Sequence, residues 1–158
     1  MYLSARKYIN KIDWSKMKES DDYDSATRPE YTDVVKSAGL EKVANGDIYG
    51  AEVSVNVAYW RKVNAIHQWF VDNCQNGVDE CQSAYVSQDQ LKELLALCRQ
   101  SLLHKDPSKL MPQAGFFFGS YDIDEYYWGG IKYTIEQLKR IVELPEFDEL
   151  SFYYQSSW

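Results

Sequence analysis

Val53, Val55 and Val57 alternate with Ser54 and Asn56, the two-residue period of a strand with one covered face. From Ala58 the period changes. Tyr59, Val63, Ile66, Phe70 and Cys74 share one stripe at helical spacing, so a helix is predicted over about 58–74, with Gly77 as its stop. A second helix is predicted over about 87–104. Ser87 and Gln90 stand at the capping-box spacing, and Leu91, Leu94, Leu95, Cys98 and Leu102 keep a clean 3.6-residue pattern. The third runs over about 122–143, from Asp122 with Glu125 at the capping position, through Ile131, Ile135, Leu138 and Val142, until Pro145 stops it. Lys139 and Arg140 in its last turn suit the negative end of the helix dipole.

The remaining stretches are shorter or less regular. Residues 20–33 hold Asp21, Asp22, Asp24, Ser25, Thr27, Pro29 and Glu30, which reads as an acidic surface loop. A short helix over 32–45 would turn Val34, Val35 and Leu40 inward, before the turn signal Asn45-Gly46-Asp47. Gly115-Phe116-Phe117-Phe118-Gly119-Ser120 suits a short buried strand or a hydrophobic plug, and Leu150–Gln155 suits a strand that pairs with Met1–Ser4. No repeat or low-complexity tract interrupts this order. The expectation is an α+β fold, mainly helical, with three main amphipathic helices and a few short strands in a single domain over 1–158.

Composition adds two things to the pattern. With 13 Tyr, 5 Trp and 6 Phe in 158 residues, aromatics are abundant enough to serve an interface as well as a core. The net charge of −7 is also uneven: residues 111–158 carry eight acids against three bases, about −5 of the total. An acidic surface argues against direct nucleic-acid binding, which needs Lys and Arg to neutralise phosphates. It favours docking on a basic protein surface, and Glu143, Glu146, Asp148 and Glu149 are the candidate acids. Cys74, Cys81 and Cys98 make an odd set without a disulfide framework. Met1–Lys7 lacks the apolar core of a signal peptide, and no apolar run reaches the roughly 18 residues of a membrane span. The expected setting is cytoplasmic and reduced, with no membrane partner; the oligomeric state stays open.

Candidate chemistry concentrates in the first helix. Trp60, Asn64, His67 and Val71 form one row at helical spacing, beside Arg61, Asn64 and Gln68. Arg61, Asn64 and His67 could face a common ligand, since Arg suits phosphate or carboxylate, Asn both donates and accepts, and His titrates near neutrality. Trp60 or Tyr127 would then stack on a ring. His67, Cys74 and Cys81 recur every seven residues, but two helical turns separate the first pair by about 10 Å, too far for one zinc. No metal and no cofactor are expected. Ser120, Asp122, Asp124 and Glu125 gather carboxylates as a cation site would, and equally as a helix N-terminus does. Gly129 and Gly130 inside a predicted helix cost about 1 kcal/mol each against alanine, so close packing or an approaching ligand must offset them. No phosphate-binding loop, nucleophile elbow or His-Glu-x-x-His is present.

The block Tyr59–Phe70, together with Asp79-Glu80-Cys81, Gly115–Ser120 and Asp124-Glu125-Tyr126, resembles a group of short, largely uncharacterised proteins of tailed bacteriophages and prophages over about residues 58–140. No catalytic residue carries over from that group. The resemblance implies a phage accessory protein acting in the cytoplasm of a bacterial host. Joined to the acidic last third and the aromatics, it leads to a first expectation: a non-catalytic inhibitor of a host protein with a basic surface, such as one that binds nucleic acid. A counter-defence inhibitor of a CRISPR–Cas nuclease is one such protein. The alternatives are a nucleotide sponge using Arg61, Asn64 and His67, a hydrolytic enzyme with His67 as base or with the carboxylates around Asp122 holding a metal, and a structural part of the virion.

Overall fold

The computed structural model describes residues 1–17, 24–44, 49–113 and 121–157. Along the chain come β1 (Tyr2–Asn10), α1 (Trp14–Met17), α2 (Pro29–Ser37), β2 (Gly50–Tyr59), α3 (Asn64–Cys74), β3 (Ala84–Val86), α4 (Gln88–His104), α5 (Glu125–Val142), a 3-10 turn at Phe147–Glu149 and β4 (Ser151–Gln155). The strands form one sheet in the order β2-β1-β4-β3. The chain divides into two units, Met1–Ala5 with Val55–Trp158 and Arg6–Ser54, and both β1 and β2 run from one unit into the other.

The architecture is α+β, but it is not a mainly helical fold of three main helices. Among the described residues helix accounts for 44% and strand for 21%, with four helices of seven or more residues and a four-stranded antiparallel sheet. Two physical reasons account for the correction. Leu3, Ser4 and Ala5 of β1 are buried in succession, so the first part of that strand is covered on both faces and shows no alternation. The valine alternation of β2, in turn, continues through Tyr59. The helix predicted over 58–74 therefore begins only at Asn64, after Lys62 adopts a left-handed φ of 58° that a right-handed helix does not contain.

In the larger unit α3, α4, α5 and β4 share one core. Ile66 and Phe70 of α3, Leu91, Leu94, Leu95 and Cys98 of α4, Ile131, Leu138 and Ile141 of α5, and Phe152 and Tyr154 of β4 are all buried in it. Phe70 stacks on Tyr154 with ring centroids 4.1 Å apart. Helix α4 starts where its capping box predicts: Gln90 N–H donates to Ser87 Oγ at 3.1 Å and Ser87 N–H to Gln90 Oε1 at 2.8 Å. For α5 the cap is Asp124, which accepts from Tyr127 N–H at 3.0 Å, and the helix ends before Pro145. The tail strand β4 lies between β1 and β3, with Ser4 Oγ donating to Tyr153 O at 3.3 Å.

The smaller unit holds α1, α2 and the adjoining parts of β1 and β2. Part of the predicted acidic loop over 20–33 lies outside the described residues. Of the rest, Thr27 bridges to Ile12 and the chain turns helical at Pro29, a residue whose fixed φ suits a first helical position. Helix α2 buries Tyr31 and Val35 and stops at Ser37, ahead of Gly39 with φ 69°. The turn signal at 45–47 and the triple-phenylalanine segment at 115–120 fall outside the described residues.

Candidate functional site

The turn from β2 into α3 sorts its side chains sharply. Trp60 points inward: it is 1% exposed, its Nε1–H donates to Thr134 Oγ1 at 3.0 Å, and its ring tilts against Phe70. Its neighbours Tyr59, Arg61 and Lys62 line an open groove instead. The facing wall is one side of α5, where Glu125, Tyr126, Gly129, Gly130 and Tyr133 recur at helical spacing. The volume between the walls is about 680 Å³, in the range of sites that take drug-sized or peptide ligands. Tyr59, Tyr126 and Tyr133 are 57%, 88% and 40% exposed, so three large rings stand around it in water.

The two glycines of α5 have different reasons. A Cβ on Gly130 would stand 2.8 Å from Val63 Cγ1, so glycine there lets the helix lie against the β2–α3 turn. A Cβ on Gly129 would meet nothing within 4 Å among the described residues. Packing does not require glycine at that position. Its effect is to leave bare helix backbone as the floor of the groove. The charges along the rim are equally unspent: among the described residues Arg61, Lys62 and Glu125 form no ion pair, while Asp124 is engaged as the helix cap.

A second cluster lies inside. His67 is 4% exposed, with Nδ1 2.6 Å from Tyr154 Oη and Nε2 3.0 Å from Asp79 Oδ2. A carboxylate only accepts, so Nε2 carries the proton and Nδ1 accepts from the Tyr154 hydroxyl. Ser156 Oγ–H completes the chain by donating to Asp79 Oδ1 at 3.0 Å. Burial lowers the pKa of His67 below 6.5, against the opposing pull of Asp79, and burial raises that of Tyr154. The result is a relay of neutral donors anchored on one carboxylate, tying α3 and β4 to the loop that carries Asp79. Asn64, His67 and Asp79 also border a polar recess of about 200 Å³, and Asn64 Nδ2–H donates to Gln113 O at 3.3 Å.

No protein-family model, curated protein or solved structure matches the chain.

Of the residues expected to bind, only Arg61 reaches the groove. Trp60 and Tyr127 belong to the core, the latter with its hydroxyl donating to Leu110 O at 2.9 Å. Asn64 and His67 are buried and bonded, because the strand and the left-handed Lys62 rotate α3 out of register with Arg61. The acids Glu143, Glu146, Asp148 and Glu149 stand exposed on the corner between α5 and β4, which Phe147 pins from beneath. Lys139 lies 3.8 Å from Glu143 and Lys92 3.9 Å from Asp148, exposed pairs worth well under about 1 kcal/mol. Tyr59, Lys62, Tyr126 and Tyr133 were not anticipated, whereas the cost of Gly129 in a helix does point to an approaching ligand. Tyr126, Gly129 and Tyr133 do share a stripe opposite Ile131 and Leu138, and that exposed aromatic stripe is the signal that marks them.

The chemistry open to the site is limited. Burial pushes the thiols of Cys74 and Cys98 up to about 12, far from a nucleophile's range. Both ring nitrogens of His67 already have partners. Among the described residues no three His, Cys, Asp or Glu side chains gather as a metal site requires, and no helix is long and apolar enough to cross a membrane.

Proposed function

We propose that the protein is a non-catalytic binding module for another protein, with the tyrosine groove as its contact surface. The observation that carries this is the set of exposed Tyr59, Tyr126 and Tyr133 beside Arg61 and Lys62, which form no ion pair among the described residues. Tyrosine and arginine dominate the energetic centres of protein interfaces, because both combine large contact area with directional hydrogen bonding. The acidic corner at 143–149 supplies a field that draws in a partner with a basic surface. Inhibition of a host protein by a phage accessory chain, a CRISPR–Cas nuclease among the targets, fits this mode of action and rests on the resemblance of the Tyr59–Phe70 block. A nucleotide sponge fits less well, since Trp60 and Tyr127, its stacking rings, are in the core.

The test is affinity capture from bacterial lysate, run in parallel with the wild type, the double variant Tyr59→Ala/Tyr126→Ala, and a variant with all four corner acids changed to lysine. A partner held by the wild type should be lost by the tyrosine variant and should associate more slowly with the lysine variant. Equal capture by wild type and tyrosine variant would remove the groove as the contact surface.

A further inference from the structure

The groove has features that select among protein ligands. Tyr126 and Tyr133 are seven residues apart on α5, two turns or about 10 Å along the axis. A flat ring in van der Waals contact with two others needs about 7–8 Å between them. The axial spacing of these two positions therefore leaves room for an inserted ring. The floor between them is Gly129, where among the described residues no side chain stands in the way. Across the groove are Arg61 and Lys62, and Glu125 lies at the end where α5 begins.

We infer that the groove takes an extended peptide segment of the partner, seating one ring-bearing side chain, aromatic or proline, over Gly129 between Tyr126 and Tyr133, with an acidic residue of the segment against Arg61 and Lys62. The inference rests on the protein-binding proposal and adds the chemistry of the ligand. Charge complementarity favours a peptide over a nucleotide. A nucleotide would satisfy Arg61 and Lys62 but bring its phosphates into a groove that also holds Asp124 and Glu125. A peptide meets both signs, with an acid facing the cations and a base or a backbone N–H facing Glu125. That polarity also sets the direction in which the segment lies. Tyrosine hydroxyls along the rim can donate to the free carbonyls of an extended chain, as in other aromatic-lined grooves that read such segments.

The experiment is selection of a displayed library of random dodecapeptides against the full chain, followed by anisotropy titration of the enriched peptides. The expected consensus is one aromatic or proline residue next to an acid. Gly129→Leu, which fills the floor from a position with open space before it, should weaken these peptides at least about tenfold, as should Tyr126→Ala. Arg61→Glu should weaken them too, and exchanging the peptide's acid for lysine should restore binding to that variant. Gly129→Ala is the milder companion if the leucine variant fails to fold. The inference is overturned if no peptide is enriched, if enriched peptides bind Gly129→Leu as well as wild type, or if adenosine monophosphate binds the groove and displaces them. Such a failure, with the tyrosine double variant still losing its captured protein, would leave the protein-binding proposal standing. Loss of neither peptide nor partner would end both.

Discussion

The side chains of the stretch from Tyr59 to His67 have two opposite fates. Trp60, Asn64 and His67 are buried and bonded to Thr134, Gln113, Tyr154 and Asp79. Tyr59, Arg61 and Lys62 reach solvent at the groove, and the two cations form no ion pair among the described residues. The difference shows that polarity does not decide which groups are free to act. A buried amide or imidazole must be bonded, because an unpaired polar group costs about 1–3 kcal/mol, and once bonded it is committed to the fold. The groups left for a partner are those that solvent, not protein, currently satisfies.

Truncation should separate the two sets most clearly. Trp60→Ala removes a fully buried indole packed on Phe70 and its donation to the Thr134 hydroxyl, which keeps its own bond to Gly130 O, so a loss of about 3–5 kcal/mol is expected in urea unfolding. Arg61→Ala, one residue on, should stay within about 0.5 kcal/mol of wild type, because its side chain has no ion pair to lose among the described residues. Similar values for the two would mean that the turn does not sort its side chains as described.

His67→Ala comes next, with an expected cost of about 2–3 kcal/mol, since Tyr154 and Asp79 both lose a buried partner. The relay also sets a pH dependence whose sign is fixed. Burial lowers the pKa of His67 in the folded chain below the 6.5 of the unfolded one, so below that pH the unfolded state binds a proton that the folded state does not. The stability supplied by the neutral ring is complete above about pH 6.5 and is lost as pH falls through the lowered folded value. Asp13 and Asp106, held below 3.8 chiefly by hydrogen bonds from Ser15 and Ser108, titrate in a more acid window. A His67→Gln variant should show a flatter stability curve between pH 6.5 and that window; an unchanged slope would assign the dependence to another group.

Much of this division lay beyond local pattern. Helix α4 is legible because period and cap agree: Leu91, Leu94, Leu95 and Cys98 follow a capping box. The period of α5 through Ile131 and Leu138 is equally legible, but its cap is Asp124 and not the Asp122 from which the pattern predicts a start. The start of α3 is not legible in the same way. Tyr59 and Val63 fit a helical stripe as well as they fit a strand and a turn, and the left-handed Lys62 that separates them carries no residue signal such as glycine. The groove is less legible still. It exists only where α5 is set against the β2–α3 turn, and the contact that sets it, Gly130 on Val63, joins residues far apart in the chain.

That contact yields the smallest and most specific test, because adjacent glycines should respond with opposite sign. Alanine is favoured over glycine inside a helix by about 1 kcal/mol. At Gly129 nothing opposes this gain, and Gly129→Ala should raise stability by about that amount. At Gly130 the new methyl would press on Val63 Cγ1 at 2.8 Å, and overpacking of this kind costs about 1–3 kcal/mol. Gly130→Ala should therefore be neutral to destabilising, and Val63→Ala in the same chain should recover part of the loss by making room. Thermal unfolding of the two single variants and the double variant measures all three. If both alanines stabilise, α5 stands off the turn and the groove is wider than described; if both destabilise, Gly129 has a packing role and its bare floor is not kept for a ligand.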